Sequence, residues 1–307
     1  MTTASSPAAG ARRSWAGRPA WLALPAVLFF LVVFVLPFIG VGRVAVAGDP
    51  PAGTGTFFDL SVFRPANLLD VAGERLFRSV MGVTVRTGII ITGVCMAVAV
   101  PFAAYIHTRR GWVKAALISA VALPKLVNLL VLLYGVLLTL GSGGVINDVL
   151  LGLGIVDQPL RLFGNLFAVV FTEVLVVLPY PVLLLLAAFE ASDSRHFDAA
   201  RSLGAGPVRA YLETVIRPAW PAVVGAAIIS AVWAVGAFVG PLVLGNPPYY
   251  TVAVEVYLRA LERLQWVDAA GWAILSVGAF GLALGGANLV LRAIQRRSAE
   301  PRGGASA

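Results

Sequence analysis

Six long apolar runs divide this chain, with shorter polar segments between them: Trp21–Val41, Val80–Ile106, Ala115–Leu140, Gly164–Phe189, Ala219–Gly245 and Ala269–Leu291. A helix needs about 20 apolar residues to cross the hydrocarbon core of a bilayer, and each run meets that length. The runs are too long for barrel strands and lack the two-residue alternation of a lumen-facing strand. The pattern therefore predicts an all-α polytopic membrane helix bundle of six transmembrane helices, with the lipid bilayer as its surroundings. The first run follows Arg12, Arg13 and Arg18 and precedes Val44-Ala45-Val46-Ala47, as a signal peptide would. It exceeds the usual apolar length of such a peptide and is read as an anchor.

Orientation follows from the basic residues, because Lys and Arg collect on the cytoplasmic side. One set of connecting segments carries fourteen of them and the alternate set seven; Arg86 and Lys125 fall inside runs. Both termini are expected in the cytoplasm. The chain then divides into a cytoplasmic tail (1–20), a first transmembrane helix with an external loop (21–79), a five-helix transmembrane domain (80–293) and a second cytoplasmic tail (294–307). Composition agrees: 59% of residues are hydrophobic and 12% charged, where a soluble domain is about half apolar and a quarter charged. The net charge of +8 does not indicate nucleic acid, since the basic residues alternate with apolar runs instead of forming one patch. Cys95 is the sole cysteine, so no internal disulfide forms. His107 and His196 lack metal-ligand spacing, and no metal site is expected.

Two external segments have distinct character. Gly48 to Arg64, rich in Pro, Gly and Thr, reads as an irregular loop. In Tyr249 to Trp266 the residues Val254, Tyr257, Leu258, Leu261 and Leu264 recur at helical spacing, and Glu255, Arg259, Glu262 and Arg263 take the other face. This predicts an amphipathic helix at the outer membrane–water boundary, either packed on the bundle or offering a docking surface.

From Glu190 to Trp220 the chain leaves the membrane and returns, over more residues than a connector needs. Asp193 or Ser194 can cap a short helix and Gly204 suits the left-handed residue that ends it. Gly206-Pro207 fits the start of a second helix. Ala199, Ala200 and Leu203 form a small apolar knob flanked by Asp198 and Arg201, of a kind that seats in a groove on a soluble partner. This segment (190–218) resembles the EAA motif of permease subunits of binding-protein-dependent ABC importers: Glu-Ala-Ala, three residues, Gly, nine residues, an aliphatic residue, one more, then Leu-Pro. Asp198-Ala199-Ala200, Gly204 and Ile216 stand at matching positions. Asp198 replaces the glutamate, Thr214 the aliphatic residue, and Arg217 the proline, with Pro218 one residue later. The stretches Gly144-Val145-Ile146-Asn147 and Gly154 to Leu160, with Pro179-Tyr180 and Gly240 to Gly245, resemble the polyamine (spermidine/putrescine) group of these permeases. Iron, phosphonate and other small-solute permeases share parts of that pattern. After Pro124, where the polyamine group has a polar Arg-Thr-Tyr-Ala-Trp stretch, this chain has Asn128 and then aliphatic residues. The resemblance covers roughly Val80 to Leu291.

The resemblance implies the ABC importer type I permease fold in a bacterial plasma membrane and a transport subunit that is not itself an enzyme. It implies a separate ATP-binding cassette ATPase dimer, a second permease subunit (identical or a sister) and an extracytoplasmic solute-binding protein. It also assigns Asp198, Ala199, Ala200, Arg201, Leu203 and Gly204 to coupling with the ATPase. No GxxxxGK[ST] run is present, so no cofactor is expected on this chain, and ATP belongs to the partner.

Charges inside spans are expensive and are candidates for function. By register Lys125 and Glu173 lie near mid-depth and Arg86 nearer the outside. Glu173 either faces the pathway, where it would contact a cationic solute, or pairs with Lys125 or Arg86 to hold the bundle; the pairing is the default. Lys125 also stands ready to satisfy carbonyls freed by Pro124, and Asn128 is a further pathway candidate. Trp233 and Phe238 either line the path or pack. Gly236/Gly240 and Gly281/Gly285 have the GxxxG spacing of close helix packing, and Gly240-Pro241 could bend the fifth span. An ion-coupled secondary transporter would show paired inverted repeats, and an intramembrane enzyme a nucleophile–base set or metal cluster; neither pattern is found.

Overall fold

The computed structural model describes residues 24–49 and 56–299. The N-terminal tail with Arg12, Arg13 and Arg18, and the chain beyond residue 299, lie outside the described residues. The described chain is helical, with only an isolated antiparallel bridge between Gly48 and Asp59, as a lipid environment without water for open backbone groups requires.

Helix α1, Leu24–Ala45, lies along the last helix, α14 (Trp266–Ala299), and is otherwise exposed. A short α2, Ala66–Gly73, leads into α3, Arg75–Thr108. At 34 residues and 1.5 Å per residue, α3 is about 50 Å long and forms the axis of the bundle. It packs on α7 (Leu166–Val177), α8 (Pro179–Glu190) and α11 (Trp220–Val235). Small residues make this possible: Ala99 and Ala103 of α3 are buried with Ala226 of α11 against Val182, Leu185 and Phe189 of α8.

Two expected spans are interrupted by non-helical backbone, and the fourth run is bent at Leu178. The third run, Ala115–Leu140, becomes α4 (Gly111–Leu126) and α5 (Leu129–Leu140), separated by extended backbone at Val127 and Asn128. Pro124 removes a helical N–H donor near the end of α4, and the Asn128 side chain caps α5 by accepting from Leu130 N at 2.9 Å. Apolar helix then continues through α6, Val145–Gly152, so the stretch of spanning length is Leu129–Gly152. Asn147 is fully buried there and ties the loop that follows: its Nδ2 donates to the carbonyls of Gly141 and Leu160, and its Oδ1 accepts from Leu160 N. The fifth run ends α11 at Val235 and restarts as α12, Val239–Leu244. Gly236 therefore lies in the break and Gly240 on the next helix, so the two form no common packing face. Gly281 and Gly285 share α14, and among the described residues no atom lies within 4 Å of a Cβ built on either.

Four helical stretches have the length and composition to cross a membrane alone: Leu24–Ala45, Arg75–Thr108, Leu129–Gly152 and Trp266–Gly286. Two bent pairs raise the number to as many as six. They are α7 with α8, at 42°, and α10 (Pro207–Ile216) with α11, at 76°.

The segment expected as an amphipathic surface helix is α13, Val252–Tyr257 continued by a wider turn over Leu258–Glu262. It packs on α14, but its charges do not all face water. Glu255 and Arg259 are buried. The Arg259 guanidinium meets Glu74 at 3.0 Å, Glu255 at 3.3 Å and Asp268 at 3.7 Å, and lies 4.3 Å from the centre of the Trp272 ring. Carboxylates from three elements and an aromatic face together replace the water that the guanidinium loses.

Candidate functional site

The polar excursion between α8 and α11 begins with α9, Ser194–Ser202. Asp193 caps it by accepting from Arg195 N at 2.9 Å. At the other end Gly204 N–H donates to Arg201 O and Ala205 N–H to Ala200 O, with Gly204 at φ +88°. This paired closure is the Schellman arrangement, which suits glycine because its left-handed residue carries no Cβ. Arg201 Nη1 also donates to Ala205 O at 3.0 Å. Asp198, Ala199, Arg201, Leu203 and Gly204 are exposed and Ala200 is half-buried. Leu203 is 89% exposed at the tip. The segment thus presents an apolar point between a carboxylate and a guanidinium.

The 76° bend lays α10 across the end of the bundle and not along α11. A polar-aromatic junction fastens it. Tyr211 Oη lies 2.9 Å from His107 Nδ1 at the end of α3. The Tyr211 ring meets Phe189 of α8 and Phe197 of α9 edge-on, at 6.3 and 6.5 Å. Beside it Lys114 of α4 forms an ion pair with Glu190 of α8. Sequence reading missed this junction, because His107 and Tyr211 are 104 positions apart and no local periodicity links them.

The mid-depth charges are not arranged as the sequence suggested. Glu173 of α7 is 6% exposed and lies against Gly240 near the start of α12, where a Cβ would come within 2.3 Å of Oε1. Among the described residues it forms no ion pair with Lys125 or Arg86 within 4.0 Å. The dipole at the N-terminal end of α12 and its free N–H groups favour a carboxylate there, which is why the default pairing fails. Arg86 is exposed, in an open groove with Arg78, Met81 and Val85. Lys125 Nζ is 4.1 Å from the centre of the Tyr180 ring and 5.3 Å from that of Trp233. Those two rings are themselves stacked at 5.1 Å. Phe238 packs on Tyr257 at 5.2 Å. Asn128 is exposed at the break beside Lys125. Among the described residues no group of His, Cys, Asp and Glu side chains could hold a metal ion.

No family model matches the chain. It is 32% identical over 216 residues to the molybdenum transport system permease protein ModB of Azotobacter vinelandii, covering 69% of this chain and 91% of that protein. It is 25% identical over 211 residues to the spermidine/putrescine transport system permease protein PotB of Escherichia coli, covering 69% and 77%. In fold it is similar to a chain of a bacterial alginate ABC transporter, solved in complex with an alginate pentasaccharide-bound periplasmic protein. That match has a TM-score of 0.70 at 16% identity over 90% of this chain and 95% of the other. The helical, multi-pass architecture, the exposed polar excursion and these relatives agree: the chain belongs to the permease subunits of binding-protein-dependent ABC importers and resembles their polyamine type.

Proposed function

We propose that this chain, with a second permease subunit that is either identical or a sister, forms the translocation pathway of an ATP-driven importer in a bacterial inner membrane. It crosses the membrane six times, with both termini in the cytoplasm. A separate ATPase pair binds and hydrolyses ATP, and the chain itself carries no cofactor. The observation behind this reading is α9, a capped rigid helix whose apolar tip is exposed. Asp198, Ala199, Ala200, Arg201, Leu203 and Gly204 make the contact with the ATPase, and the junction at Tyr211 passes its movement to α3 and α8. Rocking between outward-open and inward-open states needs such a rigid contact joined to a bistable bundle. A solute-binding protein delivers a small solute, as the alginate relative's periplasmic protein supports. Similarity to PotB supports a polyamine and similarity to ModB a molybdenum species; ferric iron and phosphonate are the other classes to test.

The test is a mild-detergent pull-down of the tagged chain from its native host. Recovery of an ATPase and a permease partner is the expected result. A lone protein that transports in proteoliposomes without ATP would instead make this an ion-coupled carrier.

A further inference from the structure

Three helix discontinuities meet at one place. Lys125 sits at the end of α4, next to the extended residues Val127 and Asn128. Tyr180 lies between Pro179 and Pro181, where α7 bends by 42° into α8. Trp233 lies in the last turn of α11, before the break at Gly236. Counting 1.5 Å per residue from the ends of α4, α8 and α11 on the coupling-segment side, all three lie about 15 to 21 Å deep, near the middle of a hydrocarbon core about 30 Å thick. Broken backbone at that depth is tolerated where it lines a cavity or is buried in protein, and not against lipid. Neither ring is buried within this chain: Tyr180 is 36% exposed and Trp233 45%.

The charge leads to the same conclusion. Lys125 makes no ion pair within 4.0 Å among the described residues. Stacked rings hold its ammonium by their faces, which fixes the position of the cation. The buried Glu173 carboxylate is turned onto Gly240 and acts on Lys125 only from beyond 4.0 Å. A fixed cation between aromatic walls, with no carboxylate in contact, suits a small anion better than a polycation.

We propose that Lys125, held by Tyr180 and Trp233, is a solute-contacting site in the water-filled pathway, and that it selects a small anion, a carboxylate or an oxyanion. This inference rests on the importer reading above and names the solute class that reading leaves open.

The test uses the complete complex in membrane vesicles, with Ile229 replaced by cysteine. Ile229 is 38% exposed and one helical turn from Trp233 on the same face. The native Cys95 is fully buried, and a C95A background removes any remaining signal. The probes are two membrane-impermeant thiol reagents of opposite charge, methanethiosulfonate ethylsulfonate and methanethiosulfonate ethyltrimethylammonium, applied with and without ATP. The expected result is a labelling-rate ratio, corrected for intrinsic reactivity, that favours the anion by about tenfold. K125R should keep the ratio and K125M should bring it close to one. No reaction with either reagent in either nucleotide state would place the cluster against lipid or protein and overturn the proposal. A ratio that K125M leaves unchanged would overturn it as well. Co-purification of the ATPase is scored on the same samples, so failure of the importer reading is seen separately.

Discussion

The two ends of this bundle solve opposite problems. At the end bearing α13, Arg259 is 6% exposed and three carboxylates and an indole close around it, tying α3, α13 and α14 together. At the other end, α9 holds its own shape through local caps, while α10 meets the bundle through Tyr211, Val215 and Ile216. Charge is buried where helices close on one another and exposed on the short helix that stands off the bundle. The contrast shows that a polar segment in a membrane protein is read correctly only when its long-range partners are known.

The largest effect is expected at the closed end. Arg259→Met should leave Glu255 with Arg263 as its partner and strip Glu74 and Asp268 of theirs, destabilising the protein by about 1–3 kcal/mol, seen as a lower melting temperature in detergent and reduced yield. If stability is unchanged, the network is not what holds that end. At the open end Gly204→Asp or Ala200→Arg should reduce uptake to background while membrane insertion persists, with the melting temperature near wild type for Ala200→Arg and slightly lowered for Gly204→Asp by the left-handed φ of +88°. Normal uptake with the ATPase still bound would remove α9 from coupling. Between these lies Tyr211→Phe, which deletes the bond to His107 and costs about 0.5–1.5 kcal/mol. It should weaken the link between ATP hydrolysis and uptake, read as fewer solutes moved per ATP. Smallest of all is Arg217→Ala. Its pair with Glu213 is exposed, and exposed pairs contribute little, so thermal stability and uptake should both match wild type. A clear loss there would mean that Arg217, at the usual proline position, touches a partner.

Much of this contrast could be read in the sequence and some could not. The run lengths predicted the spans, and Asp193, Gly204 and Pro207 marked the ends of α9 and the start of α10, because caps act over three or four residues. Breaks were harder. Pro124 was visible, but the extended residues Val127 and Asn128 depend on Asn128 capping the next helix. Arg259 looked like a surface charge because helical periodicity ranks faces by polarity and has no way to see Glu74 at 185 positions' distance. Glu173 was read as a member of an ion pair because its actual partner is backbone, beside Gly240.

The 76° elbow between α10 and α11 also sets a gear ratio. From Trp220 to Trp233 is about 20 Å of helix. A turn of about 10° at the elbow carries the far end of that arm sideways by 3 to 4 Å, roughly the width of a water molecule. The stroke needed to wet or dry the middle of the membrane is therefore much smaller than the distance over which it is delivered.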